Sequence, residues 1–290
     1  MLLNNINKNI IGIIKDKFKN QYINIEDYDI LVKIANEKNL DNSDIDKINE
    51  LKINNIDINY RYKERVSLVI QETNNYILTL DLTRVKTFKN LIDLSNNNIY
   101  YKYELELDLT VRNKFNDNKV YDLMVNESEK LLKYIQQSNT TLSNSEKNIV
   151  LKSLNKLLYN NENITLIGLP IMNVVSFEKE NINTITKNYT ITDKLDGERY
   201  YSYIKNNNIY LISNNIKVKK IEENINFNDY DNTILDGEYI YDKVNKKYIL
   251  YVFDIICYKG EDVRKKDLNN RFNLLLDVIN NLYNIDNKKI

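Results

Sequence analysis

The sequence predicts an α+β fold in two domains, and three observations carry this prediction. Residues 60–110 contain runs that are typical of strands, whereas the leucines and isoleucines of residues 119–159 follow helical spacing. From Tyr189 onward the chain returns to strand patterns separated by polar turns. A length of 290 residues, 42% of them hydrophobic, is enough for about two domains with buried cores.

In the first half, residues 1 to about 55 are predicted to be helical. Apolar residues of Met1–Phe18 recur at helical spacing, which indicates an amphipathic helix without the features of a signal peptide. Strand patterns then occupy residues 61–70, 76–82 and 101–109.

The helical pattern stops around Gly168-Leu169-Pro170, which predicts a boundary between domains 1–165 and 166–290. A closing helix is predicted from about Leu268 to Tyr283. The strands predicted between the boundary and this helix are 199–204, 208–212, 233–241 and 248–257.

The composition excludes several kinds of site. The chain has no histidine, which rules out Ser-His-Asp and Cys-His nucleophiles and histidine-bound zinc. Any metal must bind carboxylates, which points to Mg²⁺ or Mn²⁺.

The single cysteine, Cys257, cannot form an internal disulfide and fits a reducing compartment such as the cytoplasm. No run approaches the ~20 apolar residues of a membrane span, and equal numbers of basic and acidic residues, 41 each, give no general attraction to nucleic acid.

A candidate nucleophile lies in Lys194-Leu195-Asp196-Gly197-Glu198-Arg199. A lysine beside a glycine turn can present its amine to a phosphate if a nearby cation or metal lowers its pKa. Arg199 is placed to hold a ribose or phosphate oxygen. The alternative is a solvated β-turn, since this short pattern also arises by chance.

Two further acidic motifs follow in order. Asp236-Gly237-Glu238 ends an apolar strand, and Phe253-Asp254 lies inside the apolar run 248–256. A lone aspartate in such a run is costly unless it is paired or ligating, and a neighbouring aromatic ring is suited to stacking on a base.

Together these motifs resemble the first three motifs of the covalent nucleotidyltransferases, which comprise mRNA capping guanylyltransferases and ATP-dependent ligases. The resemblance covers residues 190–272. It implies that Lys194 forms a lysyl-nucleotide bond. It further implies a nucleotide-binding set made of Arg199, Glu238, Phe253 and Asp196.

Strands of opposite charge occur in the first half. Arg61, Lys63 and Arg65 alternate along one strand, and Glu104 and Glu106 alternate along another. A barrel lined by such strands would hold a metal and a triphosphate. The alternative is a solvent-facing amphipathic sheet with surface salt bridges.

Arg61-x-Lys63-x-Arg65, Asp81-Leu82-Thr83 and Glu104-x-Glu106 resemble strands of the tunnel-type, metal-dependent RNA 5′-triphosphatases. The resemblance implies a metal site at Glu104 and Glu106 and phosphate-binding roles for Arg61, Lys63 and Arg65. In viral and some other capping enzymes such a domain directly precedes the guanylyltransferase, and that order disfavours a ligase.

Two features depart from these families. Residues 1–60 contain no early Glu-x-Glu strand for the metal, and the later Lys-x-Lys motif and OB-fold of the nucleotidyltransferases are not found. The chain is therefore expected to be a fragment, a split gene product or a truncated form, with an incomplete nucleotidyltransferase domain.

The expected function is mRNA cap formation from GTP on the 5′ end of nascent RNA, in the cytoplasm, a viral factory or a virion. A methyltransferase region or subunit is the expected partner. The alternatives are an ATP-dependent polynucleotide ligase and a non-catalytic module that binds RNA 5′ ends.

Overall fold

The computed structural model describes residues 13–39, 60–89, 100–113, 116–170, 178–184, 190, 195–221 and 226–286. The chain divides into two compact units, Met1–Lys130 and Leu131–Ile290. The division falls within helix α1 (Asp117–Gln136). The predicted boundary between functional domains near residue 165 stays a prediction.

The first unit begins with an antiparallel hairpin of β1 (Ile13–Ile25) and β2 (Ile30–Asn39). A short 3-10 turn and a left-handed Asp29, with φ of 55°, connect the two strands. The prediction of helices over residues 1 to about 55 is therefore wrong for 13–39, and the rest of that range lies outside the described residues. The isoleucine and tyrosine side chains of this segment favour strands, and cross-strand pairing overrides their helix-like spacing.

The second sheet of this unit confirms the strand predictions of residues 60–110. It consists of β3 (Tyr60–Glu72), β4 (Tyr76–Phe88) and β5 (Lys102–Val111), with β4 in the centre and antiparallel to both neighbours. The register sets Arg65 opposite Thr83 and Thr83 opposite Glu104. The predicted basic and acidic residues therefore share one face of the sheet. A closed tunnel stays a prediction.

The second unit is built on a six-stranded antiparallel sheet with the order β11-β10-β9-β6-β7-β8. The strands are β6 (Glu198–Lys205), β7 (Asn208–Ser213), β8 (Val218–Ile221), β9 (Thr233–Asp242), β10 (Lys247–Tyr258) and β11 (Glu261–Asp262). The four longer strands and the helices α2 (Asn144–Tyr159) and α3 (Leu268–Asp286) agree with the sequence predictions. The short strands β8 and β11 were not predicted.

Each face of this sheet contributes side chains to a separate apolar cluster. Tyr200 belongs to the cluster that contains the apolar side chains of α3, whereas Tyr201 and Tyr203 belong to the cluster that contains those of α2. The hydroxyl groups of Ser153 on α2 and Tyr203 lie 2.7 Å apart and share a hydrogen bond. Among the described residues, the α2 cluster does not reach Arg199 at the end of this face.

The described residues thus form a mixed fold dominated by antiparallel sheets, with three α-helices. None of the helices in the described part of the chain is both long and apolar enough to cross a membrane.

Candidate functional site

A buried ion pair lies at the open end of the sheet. Arg199 donates two hydrogen bonds to Asp236, from Nε to Oδ1 at 2.9 Å and from Nη2 to Oδ2 at 2.6 Å. Asp236 is 1% exposed. The two side chains meet because β6 and β9 are neighbours and Arg199 pairs in register with Glu238, two residues along from Asp236. The pairing fixes the plane of the guanidinium group.

The interaction with Asp236 keeps the Arg199 guanidinium group protonated. Burial raises the pKa of Asp236, and the Arg199 guanidinium opposes that rise. Burial acts to lower the pKa of Arg199, but the hydrogen bond and the charge of Asp236 outweigh it, and the pKa is raised. Arg199 is therefore a fixed cation at a sheet face that faces solvent at one end.

Phe253 on β10 lies beside this cation. Its ring centroid is 5.3 Å from Cζ of Arg199, within the range of a cation–π contact, and 39% of the residue is exposed. A partly open aromatic ring next to a held guanidinium group is suited to stacking on a base.

Gly197 anchors the segment that precedes β6. Its backbone N–H donates to Oε1 of Glu238 at 3.1 Å. A Cβ atom at position 197 would lie 2.8 Å from the carbonyl oxygen of Tyr239, so only glycine permits this close approach. Lys194 itself lies outside the described residues, three positions before Gly197 in the sequence. Asp196 is exposed beside the same turn.

A second ion pair, which the sequence reading did not assign, supports the neighbouring strand. Arg271 on α3 donates to both carboxylate oxygens of Asp254, at 2.8 and 3.0 Å, and Asp254 is the register partner of Asp236. The hydrogen bond to Asp254 raises the pKa of Arg271. Arg271 lies on the buried face of the helix, together with Leu275 and Val278. A charged residue on such a face indicates that an oppositely charged partner lies nearby.

The charged residues predicted in the first unit form ion pairs with one another. Arg61 pairs with Glu104, and Arg65 pairs with Asp81 and Glu106 at 2.7 Å each. These salt bridges fit the alternative of a salt-bridged sheet face as well as that of a phosphate site. Lys63 is exposed on the same face.

A metal at this face stays a prediction. No group of three or more acidic or cysteine side chains among the described residues is arranged to hold a metal ion. One observation does fit a cation, because Oδ1 of the buried Asp81 has no hydrogen-bond partner in the described part of the chain. A buried carboxylate oxygen without a partner is costly, and a bound cation would satisfy it.

Comparison with known proteins decides the family. The sequence profile of the family described as mRNA capping enzyme, catalytic domain, matches residues 123–290. The chain belongs to this family. The match includes Lys194, Arg199, Glu238 and Phe253, whereas the charged sheet of the first unit lies before it.

Two curated relatives agree with the family. The chain is 32% identical over 252 residues to a probable mRNA-capping enzyme of Acanthamoeba polyphaga mimivirus, and the alignment covers 86% of this chain and 20% of that protein. It is 37% identical over 117 residues to an mRNA-capping enzyme of Danio rerio, covering 36% of this chain and 19% of that protein. The chain thus spans about a fifth of the length of these relatives. The similarity to the viral protein extends into the first unit.

The buried ion pair gives a stability prediction. Asp236→Asn keeps the size of the side chain but removes the negative charge that compensates Arg199, so we expect a loss of about 3 kcal/mol in the free energy of unfolding. Urea denaturation followed by circular dichroism measures it. Asp262→Asn, which weakens the more exposed pair with Arg264, serves as the control and should cost less than about 1 kcal/mol. Equal effects of the two substitutions would contradict the assigned role.

Proposed function

We propose that this chain carries the guanylyltransferase site of an mRNA capping enzyme. The observation that supports it is the juxtaposition of Arg199, Phe253 and Glu238 on one open sheet face, where Gly197 ties the segment that follows Lys194 to the same strand. A nucleoside triphosphate needs this combination: a ring for the base, a cation for the sugar or phosphate, and an amine near the α-phosphate.

In the proposed reaction, the neutral amine of Lys194 attacks the α-phosphorus of GTP. A nitrogen–phosphorus bond forms, the bond to the bridging oxygen breaks, pyrophosphate leaves, and the amine loses a proton. A terminal oxygen of a diphosphate RNA end then attacks the same phosphorus, the phosphorus–nitrogen bond breaks, and the nitrogen of Lys194 takes up a proton as it leaves. A bound metal ion or another uncompensated cation near the amine would favour its neutral form.

Mg²⁺ or Mn²⁺ would neutralise the phosphate charge during the attack. Asp236 and Asp254 each bind an arginine. Glu238 and Asp196, which belong to the nucleotide-binding set implied by the motifs, are the carboxylates proposed to face the metal. Glu238 already accepts the Gly197 N–H through one oxygen.

For the first unit we propose a role in RNA 5′-triphosphate hydrolysis. The support is the shared face of Arg61, Lys63 and Arg65 with Glu104 and Glu106, together with the unsatisfied oxygen of Asp81. The proposed substrates of the whole protein are GTP and the 5′ end of nascent RNA, in the cytoplasm, a viral factory or a virion. A methyltransferase region or subunit is the proposed partner.

The central prediction concerns Lys194. The native protein incubated with α-labelled GTP and Mg²⁺ should form a covalent adduct that survives alkali and is lost in acid, as a phosphoamide bond requires. Lys194→Ala should abolish the adduct on a denaturing gel. Lys194→Arg should also abolish it, because a guanidinium group stays protonated and cannot attack. An undiminished adduct in Lys194→Arg would overturn the proposal.

A second prediction separates a capping enzyme from an ATP-dependent ligase. GTP should raise the melting temperature more than ATP does at equal concentration, and Phe253→Ala should weaken the binding of both nucleotides by roughly 1–3 kcal/mol because every base has a π-face. Tyr248→Ala is the control, since Tyr248 is an exposed aromatic residue of the same strand and its register partner Tyr241 lies on the face opposite Glu238. Preferential stabilisation by ATP would move the assignment to a ligase.

A third prediction concerns the proposed metal site of the first unit. Mn²⁺ should raise the melting temperature of the protein, and combining Glu104→Ala with Glu106→Ala should abolish that rise. Glu64→Ala is the control, because Glu64 pairs with Arg84 in the same sheet but lies on its other face. A metal-dependent rise that persists in the double variant would contradict the site.

A further inference from the structure

A cluster of tyrosines lies at the end of the sheet near the candidate site, on the opposite face. The rings of Tyr239 and Tyr248 stack with centroids 4.8 Å apart and planes 9° apart, and Tyr241 packs against Tyr248 at 5.0 Å. Tyr241 is 46% exposed and Tyr248 is 59% exposed. We call Tyr239, Tyr241 and Tyr248 the tyrosine cluster. Its two outer rings present aromatic surface to solvent.

Lysines flank this cluster, and Glu198 is the register partner of Tyr239 on the same face. The turn between β9 and β10, which joins Tyr241 to Tyr248, contains Lys243 and Lys246, and Lys247 begins β10. Lys243 and Lys246 are exposed, and in the described part of the chain neither has an acidic partner. On the other side of the cluster, the amine of Lys219 lies 5.5 Å from the ring centroid of Tyr239.

The turn itself is ordered by its one acidic residue. Oδ1 of Asp242 accepts the backbone N–H of Val244 at 2.9 Å and that of Asn245 at 3.2 Å, and Oδ2 accepts the side-chain amide of Asn245 at 2.6 Å. The carboxylate of Asp242 is thus occupied in shaping the turn. Lys243 and Lys246 lie in this turn, between the two strands that carry the exposed rings.

The tyrosine cluster does not overlap the nucleotide residues. Side chains alternate between the faces of a strand, so Tyr239 and Tyr241 lie on the face opposite Glu238. Tyr241 is three residues beyond Glu238, or about 10 Å along the strand. A chain that passes the end of the sheet can therefore reach both surfaces.

We propose that the tyrosine cluster and the lysines of the β9–β10 turn bind single-stranded RNA, with bases stacked on Tyr241 and Tyr248 and backbone phosphates beside Lys243 and Lys246. Exposed rings next to a turn that carries exposed lysines match the two needs of a single strand, a stacking surface for bases and cations for the backbone. The inference rests on the proposed function in one respect: it assigns the surface that holds the RNA acceptor while its 5′ end is modified.

RNA fits this surface better than a protein partner does. An acidic protein segment would use the lysines but would leave the stacked rings without a planar partner. An apolar segment would use the rings but would leave two lysines at the rim unpaired. A single-stranded polynucleotide engages both groups, without the need for a particular sequence.

The test measures the affinity of the protein for a fluorescent oligouridylate that carries a 5′-hydroxyl group, by anisotropy and without GTP. Combining Tyr241→Ala with Tyr248→Ala should raise Kd about tenfold or more, because two stacking contacts are lost. The matched Tyr241→Phe, Tyr248→Phe variant keeps both rings and should bind like the wild type. Binding by the alanine variant that equals wild-type binding would overturn the inference, and would leave a protein partner as the occupant.

A second variant protects the test against misfolding. Lys243→Gln combined with Lys246→Gln changes only exposed turn residues, and should flatten the dependence of log Kd on log salt concentration by about one to two in slope. An unchanged slope would contradict the phosphate contacts. The labelled adduct on Lys194 should form normally in all of these variants, so failure of RNA binding and failure of guanylyl transfer are separate outcomes.

Discussion

Asp236 is buried at a sheet face, and the organisation of the candidate site follows from how its charge is compensated. A buried carboxylate without a partner is strongly unfavourable, and Arg199 provides two short hydrogen bonds and a positive charge. The antiparallel register of β6 and β9 that brings the two together also sets Glu238 opposite Arg199 and beside Gly197. A slip of one residue in that register would turn Arg199 to the other face and separate it from Asp236 and Glu238.

Coverage of the sheet decides where a ligand can bind. Both faces are packed in apolar clusters along most of their length, one with α2 and one with α3, but the α2 cluster stops before Arg199 and Phe253. α3 also supports the site from behind, because Arg271 holds Asp254 next to Phe253 on β10. The two strands that carry the acidic motifs are therefore each secured by an arginine from a neighbouring element.

Much of this arrangement was predictable from the sequence, because strand alternation and the ordered motifs are local signals. Arg199, Glu238 and Phe253 lie near one another in the structure, and their roles in nucleotide binding stay a prediction. The ion pair between Arg271 and Asp254 joins residues on different elements, and local sequence patterns do not show which residues pair. Each residue alone nonetheless stands out in the sequence, Asp254 as a charge in an apolar strand and Arg271 as a charge on the apolar face of a helix. The hairpin of residues 13–39 was misread because isoleucines spaced for a helix also suit a strand.

The most direct measurement of the central claim is the location of the nucleotide on the protein. The native protein is incubated with GTP and Mg²⁺, digested at neutral to alkaline pH to preserve a phosphoamide bond, and its peptides are examined by mass spectrometry. We expect the peptide that contains Lys194 to carry the added mass of GMP less one water, and fragmentation to place that mass on Lys194. GMP attached to a different residue would contradict the assignment of Lys194 as the nucleophile.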